Sequence, residues 1–182
     1  MPNRIPLHGL PCLLSLALCM PAIAQTSAYA GEQHRSIKAL DERDVAALRQ
    51  GQGMGLAKAA ELNGYPGPMH TLELAQPLQL SAAQHAATRQ LMDEHKARAR
   101  VLGEAIVEAE TELDRLFGSR QATPQAVSSA TQRVAGLQAR LRAEHLNTHL
   151  AQTALLTPEQ ARRYAELRYT PGTPAPVHPH RH

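Results

Sequence analysis

From Leu80 to Leu116 the apolar residues Leu80, Ala87, Leu91, Ala99, Leu102, Ile106, Ala109, Leu113 and Leu116 recur at intervals that line them up along one stripe of an α-helix. His95 fits the same spacing and is the one polar member of the stripe. Ser81-Ala82-Ala83-Gln84 has the spacing of a capping box, so the pattern predicts a helix from Ala82 to Phe117, about 54 Å long at 1.5 Å per residue. A stripe of that length must be covered, and the chain supplies a cover directly. Gly118 to Ala122 predicts a turn, and Thr123-Pro124 restarts the helix with a cap and a proline at the first helical position. Val127, Ala130, Val134, Leu137, Leu141, Leu146 and Leu150 then carry a second stripe to about Leu155. Thr157-Pro158-Glu159-Gln160 is a third start signal, for a helix ending near Arg168.

Upstream the pattern is weaker. Leu40 to Gln50 predicts a short helix capped by Asp41 or Asp44, Gly51, Gly53 and Gly55 interrupt it, and Leu56 to Leu62 can form another. Asn63 to His70, with Pro66 and Pro68 between glycines, reads as a rigid loop. The fold class is therefore all-α: a long antiparallel helical hairpin over 65–169 with shorter flanking helices, preceded by a helical and Gly-rich segment over 31–64.

The two ends read differently. Arg4, the apolar run Leu10 to Met20 and the A-x-A patterns at Ala22 to Ala24 and Ala28 to Ala30 mark residues 1–30 as a signal peptide, which implies export to the periplasm. The run is broken by Pro11 and Pro21 and is shorter than the roughly 20 residues a membrane span needs. Lipidation at Cys19 is disfavoured by the bulky Leu18 before it. Both cysteines, Cys12 and Cys19, fall in this segment, so a processed chain has no thiol for disulfides, metal or nucleophilic catalysis. Residues 170–182 are rich in Pro and His and read as a disordered tail.

One Phe, four Tyr and no Trp suit close-packed helices better than a sheet or an aromatic-lined pocket. The formal charge of +3 is small, with Arg and Glu interspersed, which leaves nucleic acid without support. There is no HExxH and no glycine loop after a strand, and the carboxylates of the long helix suit a solvated face. The sequence reads as non-enzymatic.

Histidine carries the remaining chemistry. His145 and His149 lie one turn apart on the second arm, a spacing that can present two imidazoles to one metal. A turn centred between Phe117 and Pro124 places His95 opposite Leu146, within a turn of both, with Glu94 and Glu144 at the same level. His95, His145, His149 and Glu94 thus form a candidate site for Zn²⁺, Ni²⁺, Co²⁺ or Cu²⁺, though no metal is required for the fold. The alternative is a hydrogen-bonded core histidine at 95 with polar rim residues at 145 and 149. His178, His180 and His182 in the tail, and His70, are weaker candidates. The arms also interleave apolar positions with Arg98, Arg100, Arg133, Arg140 and Arg142, a surface able to hold non-native chains loosely unless a second subunit covers it.

Leu80-Ser81-Ala82-Ala83-Gln84 and Leu156-Thr157-Pro158-Glu159-Gln160 resemble the two LTxxQ motifs of the periplasmic stress-protein superfamily, which includes Spy- and CpxP-like chaperones, the zinc resistance-associated protein and periplasmic cobalt-nickel sensors. The first motif has Ser81 in place of Thr, which can still cap. The resemblance covers roughly residues 65 to 168. It implies a four-helix, cradle-like homodimer that binds unfolded clients without ATP, or a membrane-bound envelope regulator, as a chaperone or stress adaptor. The other role it implies is a heavy-metal sensor or resistance protein using helix-borne His and Glu.

Overall fold

The computed structural model describes residues 27–169, and among them all regular structure is helical. The chain divides into two units, 1–31 and 32–182. Of the first, only a turn closed by Ala30 N–H on the Ser27 carbonyl is described. The second begins with a 3₁₀ turn at Glu32–His34, followed by α1 (Glu42–Gln50), α2 (Lys58–Glu61), α3 (Pro68–Glu73), α4 (Ala82–Gly118), α5 (Pro124–Leu155) and α6 (Pro158–Tyr169). The signal-peptide reading of residues 1–30 falls almost entirely outside the described residues, and the tail from 170 does so completely.

The helix starts follow the caps. Asp41 accepts the Asp44 N–H at 2.7 Å, and Ser81 and Gln84 complete both bonds of the capping box. Thr123 accepts the Ala126 N–H with Pro124 in the first turn, and Thr157 and Gln160 repeat the box at α6. Each cap satisfies an amide that the helix itself leaves unpaired.

The two glutamines of the boxes also meet each other. Gln84 Nε2 donates to Gln160 Oε1 at 2.7 Å, and Gln160 Nε2 donates back to Gln84 Oε1 at 3.1 Å. Gln84 further donates to the Leu155 carbonyl and Gln160 to the Leu78 carbonyl. Each side chain thus caps its own helix, pairs with its counterpart and satisfies a distant carbonyl. Together they fasten the open end of the α4–α5 hairpin to α6.

Midway along α4, α1 crosses the hairpin. Ile37, Leu48, Ala99, Ile106, Val107 and Leu141 form the apolar core there, with Leu40, Val45, Leu56, Leu102 and Leu137 packed around it. Gly103 makes the crossing possible: a Cβ at this position would overlap the Leu48 carbonyl oxygen. In sequence Gly103 is an interruption in a helix, whereas in the fold it is the point of closest approach.

Two parts of the sequence pattern are corrected. The stretch 63–70 is not loop throughout, because Pro68 starts α3 in the position where a missing N–H costs nothing. On α5 the buried face is not continued by Leu146 and Leu150. From Val134 and Leu141 it runs through His145, Thr148, His149 and Gln152, while Leu150 is 54% exposed. Helical geometry carries the face onward in steps of three and four whatever the polarity of the residues, and α4 answers it with buried Thr88 and His95.

Candidate functional site: a buried histidine cluster in the hairpin

Toward the open end of the hairpin the interface between α4 and α5 turns polar. Gln152, fully buried, donates from Nε2 to Thr88 Oγ1 at 3.2 Å. One turn back, the Thr148 hydroxyl donates to the Glu144 carbonyl at 2.8 Å and receives His95 Nδ1–H at 2.9 Å. His95 Nδ1 also lies 3.1 Å from Glu144 Oε1, which accepts Arg98 Nε–H at 2.9 Å as well. With two acceptors at Nδ1, His95 carries its proton there and keeps the lone pair on Nε2, the arrangement found in carboxylate-oriented histidine ligands.

His145 stands edge-on to this ring, with centroids 4.5 Å apart and planes at 71°. Its Nε2 is buried and has no hydrogen-bond partner. His149 sits one turn further along α5, and its Nδ1 donates to the Tyr65 carbonyl at 2.8 Å. Glu61 Oε2 is 3.9 Å from the same nitrogen. Glu61 is itself held by Tyr164 Oη at 3.1 Å and Arg168 at 3.1 Å, and its backbone carbonyl accepts Tyr169 Oη at 2.6 Å.

Burial dominates the electrostatics. It lowers the His95 ring below the usual histidine range, against the opposing pull of Glu144. His145 is driven down to about 4 by burial and then by the charge of His95, with no carboxylate bonded to it. Burial alone would raise Glu144, but His95 and Arg98 hold it below the ordinary carboxylate value. The rings of His95 and His145 are therefore neutral at pH 7, the form that ligates metal.

The His145 shift has a consequence for stability. Below pH 6.5 the unfolded chain takes up a proton at His145 that the folded chain refuses until about pH 4, so stability falls as pH drops through that window and is level above it. Lowering the pH of chelator-treated protein from 7.5 to 5 is expected to cost about 2 kcal/mol in urea unfolding. His145→Gln removes the His145 contribution, and the depressed His95 leaves a residual slope of the same sign. An unchanged slope in the variant would assign the loss elsewhere.

The structure brings His95, His145 and His149 to one level of the hairpin. It sets Glu94 apart: half-exposed, this residue accepts from Gln90 Nε2 at 2.9 Å and lies 3.6 Å from Arg98, and the carboxylate against the imidazoles is Glu144. His70 pairs with Glu73 within α3 at 2.8 Å. His178, His180 and His182 lie outside the described residues. Glu61, Tyr65, Thr88, Thr148 and Gln152 were not signalled by composition, although 145, 148 and 152 follow the helical period of Val134 and Leu141. Among the described residues no three His, Cys, Asp or Glu side chains are gathered into a finished metal-holding set. Two neutral imidazoles in ring contact, one with a buried unpartnered nitrogen and one oriented by a carboxylate, nevertheless fit a borderline divalent ion as nitrogen donors.

The sequence pattern described as heavy-metal resistance matches residues 45–163, which includes α4, α5 and the cluster between them. The chain belongs to the heavy-metal resistance family. This family is part of the LTxxQ, Spy/CpxP-like periplasmic superfamily, which the paired Gln84 and Gln160 motifs resemble. It is a non-enzymatic family of resistance and sensor proteins, typically periplasmic. No curated protein and no solved structure matches the chain. Among the described residues no helix is long and apolar enough to cross a membrane.

Proposed function

We propose that this heavy-metal resistance protein acts in the periplasm by binding a divalent ion, of the Zn²⁺, Ni²⁺, Co²⁺ or Cu²⁺ class, between α4 and α5. His95 and His145 supply the nitrogen donors, and Glu144 orients His95. The observation that carries this reading is His145 Nε2, buried without a partner beside the His95 ring. A buried polar atom left unpaired costs roughly 1–3 kcal/mol, and a ligand to it recovers that cost. Nitrogen donors favour these ions over Mg²⁺ or Ca²⁺, which take oxygen.

Calorimetric titration of the full chain with each ion tests the reading. Micromolar or tighter binding is expected, kept when His178, His180 and His182 are replaced by Ala, and weakened by about 100-fold or more in His145→Ala. Equal affinity in His145→Ala would remove the metal from the hairpin.

Exposed Val101, Phe117 and Leu150 support a second reading, in which the outer face of the hairpin meets a non-native client, an envelope regulator or a second copy of the chain. Suppression of client aggregation without nucleotide or metal, lost when these three become Ser, is the result that favours it.

A further inference from the structure

The third histidine of the cluster is held by a partner outside the hairpin. His149 Nδ1 is committed to the Tyr65 carbonyl, and the Cε1–Nε2 side of its ring lies against Gly67, where a Cβ would come within 2.8 Å of Cε1 and 3.1 Å of Nε2. One short segment, 65–67, thus takes the hydrogen bond of the first nitrogen and packs against the ring beside the second. At the same time His149 lies one turn from His145 on the same face of α5, near enough for its charge to bear on both His145 and His95.

The segment that holds His149 is open at one end and closed at the other. Tyr65 is 41% exposed, and its N–H reaches the Ala60 carbonyl while Gly64 N–H reaches Glu61. Pro66 is fully buried, and the anchorage is firmer from there onward and at Glu61. Thr71, fully buried, bonds through N–H and Oγ1 to the Gly67 carbonyl, and Glu61 is tied to α6 through Tyr164, Arg168 and Tyr169.

We propose that His149 is the third ligand of the His95–His145 site, held in reserve by residues 65–67, and that its recruitment is how metal occupancy reaches the surface of the protein. The inference rests on the metal-binding reading above. A ligand through Nε2 requires the ring to leave Gly67, and the rotation withdraws Nδ1–H from Tyr65. Binding therefore exchanges one hydrogen bond for a coordinate bond and frees the segment 62–65, while Glu61 keeps α2 attached to α6 and Thr71 keeps Gly67 in place. Gly67 sets the balance. With φ at −92° its backbone suits any residue, so only the space taken by the His149 ring requires glycine there. Alanine at 67 expels the ring without metal, which removes the cost of its release and tightens binding.

Amide hydrogen exchange of the full chain, with and without saturating Zn²⁺, Ni²⁺, Co²⁺ or Cu²⁺ alone and read beside calorimetry, tests the proposal. Metal is expected to speed exchange at Gly64 and Tyr65 by about fivefold or more and to leave Thr71 and α6 unchanged. Gly67→Ala shows fast exchange at Gly64 and Tyr65 before metal is added and binds about three- to tenfold more tightly. His149→Gln, which keeps a donor for the Tyr65 carbonyl, binds at least about tenfold more weakly and shows no exchange response. Metal bound with no change at Gly64 and Tyr65, or undiminished affinity in His149→Gln, overturns the recruitment of His149 and leaves the His95–His145 site standing. Failure of all four ions to bind the unmodified chain overturns both. Circular dichroism confirms that each variant keeps its helix content.

Discussion

Gly103→Val is expected to detach α1 from the hairpin and to lower stability by about 4 kcal/mol. The cause is steric and has no easy relief, because the atom in the way is the backbone oxygen of Leu48 and not the end of a flexible side chain. For the crossing to survive, α1 must lift from α4. Leu48 and Val45 then lose their cover, along with part of Ile37 and Leu40. Burying a side chain of this size contributes about 1.5–3 kcal/mol, so two of them account for the expected loss. The signature is local: amides of residues 42–50 exchange freely while α4 and α5 remain protected. Arg49→Ala is the control, since its ion pair with Glu104 at 2.9 Å is exposed to solvent and contributes little to stability. A thermal midpoint for Gly103→Val close to that of the unmodified chain would mean that α1 does not pack here.

Tyr164→Ala is expected to cost as much, about 4 kcal/mol, through a different mechanism. Tyr164 is fully buried and is the largest such side chain among the described residues, so truncation leaves a cavity as well as losing transfer energy. Its hydroxyl is one of two side-chain donors on the Glu61 carboxylate, and burial with the nearby Glu61 charge raises the phenol well above its usual pKa. Tyr164→Phe isolates the polar part and should cost about 1 kcal/mol, the net worth of one hydrogen bond, because Arg168 still pairs with Glu61. Urea unfolding of both variants separates the two contributions. Equal effects would place the energy in the hydroxyl and not in the packing.

Much of the fold could be read from local signals, since helix starts are written in a few adjacent residues. Ser81, Thr123 and Thr157 each stand at the cap their spacing predicts, and the turn between Phe117 and Pro124 sets a register that does bring His95 to the level of Glu144 and Thr148. The difficulty came where polarity and periodicity disagree. Leu146 and Leu150 look like core and His145, Thr148 and Gln152 look like rim. Once Val134 and Leu141 are inside, however, helix geometry puts the polar set inside too. Glu94 and Glu144 could not be told apart by level alone, because which carboxylate faces the partner helix depends on the rotation of its own helix. The loop at Tyr65 and Gly67 was beyond reach for another reason: it meets His149 from 84 positions away, through a backbone carbonyl that no residue type announces.

The reciprocal pairing of Gln84 and Gln160 bears on where this molecule can respond to its surroundings. A carboxamide does not titrate, both of these are committed to hydrogen bonds, and a neutral pair is little affected by salt. The clasp that joins α6 to the hairpin is therefore indifferent to the acidity and ionic strength of its surroundings. The imidazoles of His95 and His145, a few turns away, do titrate, so a fall in pH acts on the α4–α5 interface while the clasp at its end is untouched.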